Sequence, residues 1–250
     1  MNDEKWFENP SFWRDMRPKI YSTVQETAAR TEVAEVLQLL GTKQSSIILD
    51  MCCGNGRHAI ELSLLGHDVT GVDLNEEYIE EGRAQAASRD ANPTFVKADL
   101  RAFESETRFD AALILWNAFG YFCNDSDDLR ALKSMHRALR SGGKLLIQTH
   151  GSETTARKIV RKDWFEIGET IVLDQRWIDD DWSSMRTRYV IISPTSRHEY
   201  TMSCRLYSPR VLGDLLANAG FTDIRFLGGL DGRAYDEKAF ELVAIATKRV

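Results

Sequence analysis

The sequence predicts an α/β fold with a mostly parallel sheet, on the strength of three observations. Apolar runs of strand length alternate with helical patterns between residues 47 and 148. A glycine turn, Gly54-Asn55-Gly56, joins the first of those strands to a helix. Beyond residue 150 the alternation gives way to short strand-like segments with turn residues between them, which predicts an antiparallel β insertion.

Each element has a local reason. Ile47-Ile48-Leu49 is a short apolar run suited to a buried parallel strand. Gly54 and Gly56 permit a tight turn and close approach of backbone to a ligand. Ala59, Ile60, Leu62, Leu64 and Leu65 recur at near-helical spacing, Gly66 stops that helix, and Val69 to Val72 return as a strand ending at Asp73. Further strands are expected at 94–97, at 109–116 (FDAALILW), after the Leu139–Lys144 turn, and at 221–227 and 239–247, making a Rossmann-like sheet of seven. Ahead of the sheet, Val33, Val36, Leu37 and Leu40 mark an amphipathic helix over 22–40, closed by Gly41. Ser208-Pro209 places a serine N-cap and a proline at the first position of a helix running to Asn218.

Two acids decide what kind of nucleotide such a turn would hold. Gly54, Gly56 and Ala59 fit a dinucleotide fingerprint, but Asp50 stands at the strand end beside the turn. A carboxylate there opposes a pyrophosphate and suits a cationic, phosphate-free nucleoside bearing an ammonium and a sulfonium. At Asp50-Met51-Cys52-Cys53-Gly54-Asn55-Gly56 the chain resembles the class I S-adenosylmethionine-dependent methyltransferases, with Cys52 where many members have a glycine. The resemblance extends to Asp73-Leu74, to Ala98-Asp99-Leu100 and to the turn at 139–144, with acid spacings of 23 and 26 residues (73−50 and 99−73). It implies S-adenosyl-L-methionine as cofactor, Asp73 on the ribose hydroxyls, Asp99 on the adenine amino group, and Leu74, Leu100, Cys52 and Trp116 beside them. It also implies that the last two strands form an antiparallel edge hairpin. A β insertion after the fifth strand occurs in small-molecule N-methyltransferases of amino sugars and glycine-like amines. The segment Trp116–Tyr121 resembles its counterpart in the amino-sugar dimethyltransferases.

Composition bounds the rest. The chain has 250 residues, 43% of them hydrophobic, enough for a full core. Net charge is −6 without a long basic run, which disfavours nucleic acid as a partner and leaves a small-molecule acceptor. No stretch reaches the roughly 20 apolar residues of a membrane span, and MNDEKWFENP does not read as a signal peptide. The four cysteines lack metal-site spacing and read as reduced thiols, so no metal and a cytoplasmic setting are expected.

Four segments follow: 1–40, an N-terminal lid and helix; 41–150, the cofactor-binding core; 151–206, the insertion; and 207–250, which completes the core. The insertion is expected to select substrate or to form a homodimer. Trp6, Phe7, Phe12, Trp13 and Tyr21 make the N-terminus aromatic, either to pack on the sheet edge or to cover the cofactor. Catalytic candidates are His150, after the fifth strand, as base or as structural histidine, and Tyr21, as orienting group or packed ring. Trp13, Asn117, Tyr121 and His198 are the substrate candidates. Arg57 either holds the methionine carboxylate or is a solvated helix-start residue, and His58 either contacts the cofactor or is a surface residue. The expected activity is methyl transfer to a small-molecule amine. The alternatives are an oxygen acceptor, a nicotinamide-dependent dehydrogenase, and a cofactor-binding protein without turnover.

Overall fold

The computed structural model describes residues 3–249, so the ends of the first and last segments (1, 2 and 250) lie outside the described residues. A 3-10 turn (Asp3–Glu8) precedes α1 (Pro10–Ile20) and α2 (Thr23–Leu40). The core follows as β1 (Ile47–Met51), α3 (Arg57–Leu64), β2 (Asp68–Asp73), α4 (Glu76–Ser88), β3 (Thr94–Lys97), β4 (Phe109–Ile114), α5 (Asp125–Ala138) and β5 (Leu139–Thr149). Then come α6 (Ser152–Lys158), the insertion strands β6 (Lys162–Ile167), β7 (Thr170–Ile178), β8 (Ser184–Ile192) and β9 (Arg197–Arg205), and finally α7 (Pro209–Asn218), β10 (Phe221–Leu227) and β11 (Leu242–Lys248).

The seven core strands lie in the order β10-β11-β5-β4-β1-β2-β3. All pairings are parallel except those of β11, which runs against both β5 and β10. Because the central strands are buried on both faces, their residues alternate between two apolar layers. Ile48, Leu113 and Leu146 meet α2, α3 and α4 through Val33, Val36, Ile60 and Ile79. Leu49, Ala112 and Leu145 meet α5 and α7 through Leu132, Met135, Leu212 and Leu216. Burying each such aliphatic side chain contributes about 1.5–3 kcal/mol. Helix ends are fixed by side chains: Asn75 accepts from the Glu77 N–H at 3.0 Å, and Ser208 caps α7 with Pro209 behind it. Gly41 ends α2 in a left-handed conformation.

The chain leaves β1 toward β2 and β3, then crosses back to place β4 on β1's other side. The reversal opens a crevice at the carboxyl ends of β1 and β4, where open α/β sheets bind ligands. β6 to β9 form a separate antiparallel sheet. One of its faces carries Val172, Tyr189 and Ile191 against Trp6, Phe12 and Met16. Trp164, Leu173 and Trp177 are exposed. Among the described residues no helix is long and apolar enough to cross a membrane.

Three strands differ from expectation. β5 already starts at Leu139, within the segment read as a turn, and its register on β4 shifts between Phe109 and Ala111. β4 stops at Ile114, because Trp116 and Asn117 take left-handed φ of 57° and 60° and turn the chain out of the sheet. β11 starts at Leu242 rather than at residue 239, because the N–H groups of Phe240 and Glu241 both donate to the Gly228 carbonyl and close a loop.

Gly56 has φ +78°, and a Cβ there would lie 2.4 Å from the Phe95 ring. Left-handed strain and overpacking against a buried ring together should cost about 2–4 kcal/mol in Gly56→Ala, measured by urea unfolding. A loss under about 1 kcal/mol would contradict this account of the turn.

Candidate active site

At the crevice lies a cavity of about 220 Å³. β1 delivers Asp50 to its floor. Asp50 is 1% exposed and its Oδ2 has no partner among the described residues. The Ala59 N–H in the first turn of α3 serves the carboxyl group. Burial, only partly offset by Arg57, pushes its pKa up to about 7. Asp73 ends β2. Its Oδ2 accepts from the Gly54 N–H and its Oδ1 from the Asn75 N–H, both at 2.8 Å, which fixes the carboxylate against the glycine turn with lone pairs to spare.

Arg57 begins α3 and is buried, although a solvated side chain was one of its two expected states. Its guanidinium stacks 4.2 Å from the Trp116 ring centroid, donates to the Gln25 carbonyl and pairs with Glu32 at 3.1 Å. Its Nη2 has no hydrogen-bond partner among the described residues. Glu32, on α2, also accepts from His58 Nε2 at 2.7 Å and from the Trp116 indole N–H at 3.0 Å. His58, read from the sequence as a cofactor contact or a surface residue, is buried and lines the cavity, and burial pushes its pKa down. The sequence gives no local sign of Glu32's role, because its partners lie 26 and 84 residues away.

The N-terminal aromatics both pack and cover. Phe7, Trp13, Ile20 and Tyr21 line the cavity. The Trp6 indole donates to the Ser203 carbonyl of the insertion at 2.8 Å, Trp13 to Phe7 at 2.7 Å, and the Tyr78 hydroxyl of α4 to Trp13 at 2.9 Å. Tyr21 lies over the glycine turn: a Cβ on Gly54 would sit 1.9 Å from its hydroxyl. Burial pushes that hydroxyl's pKa well up, so it keeps its proton.

The same cavity gathers Cys52, Gly54, Leu74, Asp99, Leu100, Trp116 and Tyr121. Gly56 shapes the turn from behind. Asp99 faces the cavity, but Arg101 forks onto its oxygens at 2.6–3.1 Å and holds its carboxyl below the usual range despite desolvation. An adenine amino group would have to share or displace that fork. Three candidates stand apart. Asn117 and His150 line a second cavity, and burial pushes the His150 pKa down to about 4. His198 is exposed on β9 and meets Asp15 of α1 at 2.6 Å, away from both cavities. Its register opposite Ile191 turns it toward α1. Among the described residues no group of three or more His, Cys, Asp or Glu could hold a metal.

The comparisons with known proteins agree with this geometry. Residues 48–143 match the family described as methyltransferase domain. The matched segment is thus similar to a methyltransferase domain. A demethylmenaquinone methyltransferase of Staphylococcus aureus (strain JH9) is 34% identical over 144 residues, 56% of either chain. The chain spans about half the length of the curated relatives it matches. An S-adenosylmethionine-dependent methyltransferase from Clostridium acetobutylicum has the same fold, with TM-score 0.80, 13% identity, and coverage of 96% of this chain and 98% of that one. So does the sugar N-methyltransferase KedS8 from Streptoalloteichus sp., with TM-score 0.67, 20% identity, and coverage of 96% and 92%. The match over residues 48–143 is to a methyltransferase domain and so favours the methyl-transfer reading over the dehydrogenase alternative.

The donor set fits the cofactor. Asp50 Oδ2 and Arg57 Nη2 are buried, opposite in charge and unspent, the complement of an amino acid's ammonium and carboxylate. Asp73 adds a fixed acceptor for vicinal hydroxyls.

Two outcomes follow. Glu32→Ala leaves Arg57 buried without its carboxylate, at a cost of about 3–5 kcal/mol in denaturant unfolding; stability within about 0.5 kcal/mol of wild type would remove Glu32 from this role. Asp50, raised to about 7, carries a proton in the free protein at lower pH and must lose it to meet an ammonium. Calorimetric affinity for S-adenosylhomocysteine should therefore fall as pH drops below about 7, approaching tenfold per unit. A flat profile from pH 8 to 5.5 would contradict the assignment.

Proposed function

We propose that this chain is an enzyme that transfers a methyl group from S-adenosyl-L-methionine to the nitrogen of a small-molecule amine. The observation that carries it is the pair of unspent buried charges, Asp50 and Arg57, beside the Asp73 carboxylate in one cavity. Nitrogen over oxygen is supported by the fold shared with a sugar N-methyltransferase and by the β insertion between β5 and α7.

Bound S-adenosylmethionine would supply an electrophilic methyl: the amine lone pair forms the N–C bond, the S–C pair passes to sulfur, and one N–H proton goes to water. The residues of the chain bind, orient and exclude solvent. Asp50 would neutralise the ammonium and Arg57 the carboxylate of the cofactor's amino-acid end, while Asp73 takes the ribose. Tyr21 would hold the mouth of the glycine turn, with Trp13 and Tyr121 closing the aromatic roof. Keeping water out and fixing the line of attack can supply several kcal/mol without a base. His150 is a poor base at a pKa of about 4, because it surrenders any proton to water at neutral pH.

The test is incubation with methyl-labelled cofactor and matched panels of amines and alcohols. Label on nitrogen is expected; label on hydroxyls alone would overturn the nitrogen assignment. Asp73→Asn should raise the KM for cofactor about 10–100-fold, the effect of about 1–3 kcal/mol lost at a buried polar partner. An unchanged KM would contradict the ribose placement.

A further inference from the structure

β4 and β5 run side by side until Ile114 meets Ile147, and there their ladder stops. The chain then turns out of the sheet through Trp116 and Asn117, two consecutive residues with left-handed φ. L-residues adopt that conformation rarely, so it holds where surrounding contacts over-determine it. The amide N–H groups of both residues also leave the ladder and need acceptors elsewhere.

One residue serves both. Gln148 of β5 accepts from the Asn117 N–H through its backbone carbonyl at 3.1 Å and from the Trp116 N–H through its side-chain Oε1 at 2.9 Å. It lies two residues beyond Leu146, on the same face of the strand, where the neighbouring side chains are apolar, and it is 4% exposed. The far end of its amide donates from Nε2 to Glu241 Oε2 at 2.5 Å. An ionised carboxylate only accepts and a backbone N–H only donates, so the two partners fix which end of the amide faces which. Glu241 therefore decides that an oxygen, and not an NH₂ group, is presented to Trp116.

The turn acts on the cofactor cavity through the Trp116 ring. That ring lies 4.2 Å from the Arg57 guanidinium, and its indole N–H donates to Glu32, which pairs with Arg57 at 3.1 Å. Arg57 Nη2 has no hydrogen-bond partner among the described residues. Neither Gln148 nor Glu241 lines that cavity.

We propose that Gln148 and Glu241 are positioning residues for cofactor binding: they fix the Trp116–Asn117 turn, and the turn holds the Arg57 guanidinium where the cofactor's amino-acid carboxylate must meet it. This rests on the methyl-transfer reading and extends it to two residues outside the cofactor cavity.

The experiment is calorimetric titration of two ligands into wild type, Gln148→Met, Gln148→Asn and the exchanged pair Gln148→Glu/Glu241→Gln. S-adenosylhomocysteine carries the amino-acid end, whereas 5′-methylthioadenosine keeps the nucleoside and lacks that end. Methionine offers Trp116 no oxygen, and asparagine is one methylene too short to span both partners. Both single variants should bind S-adenosylhomocysteine at least about tenfold more weakly, the scale of one lost buried hydrogen bond. They should bind 5′-methylthioadenosine within about twofold of wild type, which also certifies their folding. The exchanged pair keeps an oxygen for the Trp116 N–H and an amide donor between the two side chains, so it should recover S-adenosylhomocysteine affinity to within about threefold. Wild-type S-adenosylhomocysteine affinity in the single variants, an equal loss of both ligands, or no recovery in the exchanged pair would overturn the positioning role alone. Failure of wild type to bind S-adenosylhomocysteine would overturn that role together with the methyl-transfer reading.

Discussion

A buried guanidinium governs this site. Arg57 is only 7% exposed, and an unpaired charge there would be costly. Glu32 meets that requirement from α2, and in doing so ties together α2, the first turn of α3 and the Trp116 turn after β4. Three chain segments far apart in sequence are thereby held at one point. The unspent Nη2 then aims one charge at the cavity from a rigid mount. Asp50 lines the same cavity, so wherever it is ionised the pocket presents opposite charges suited to a zwitterion.

The N-terminal segment depends on this arrangement and completes it. Its aromatics wedge between the core and the insertion sheet. Hydrogen bonds from Trp6 to β9 and from Tyr78 to Trp13 fix the wedge to both sides. Arg17 pairs with Glu81 and Arg14 with Glu77, pinning α1 along α4. Exposed pairs of this kind are worth little singly. The apolar contacts supply most of the energy, and the ion pairs set register. Tyr21, at the end of α1, is thus delivered over Gly54, where only a residue without a side chain leaves room.

Much of the core was legible because its signals are local. The β1 run and the glycine turn follow from strand periodicity and turn chemistry, and the resemblance to the methyltransferases picked out the acids Asp73 and Asp99 beside Asp50. The Ser208-Pro209 cap needs only neighbouring residues. The insertion strands were visible too, since turn residues separate them. What escaped was long-range. Glu32 looks like any polar helix residue until Trp116, 84 positions on, folds against it. His58 read as a cofactor contact or a surface group for the same reason. His150 was read as a base or a structural histidine; it lines the second cavity, as does Asn117 of the left-handed pair Trp116-Asn117, and no composition rule anticipates two consecutive positive φ values.

The central claim is that a sulfonium nucleoside lies across β1 and β2 with its amino-acid end between Asp50 and Arg57. Its most direct test is a crystal structure of the protein with S-adenosylhomocysteine. The account predicts the ligand's ammonium within hydrogen-bond distance of Asp50, its carboxylate on Arg57 Nη2, and both ribose hydroxyls on Asp73. A ligand bound with its amino-acid end away from Arg57, or outside this cavity, would contradict it.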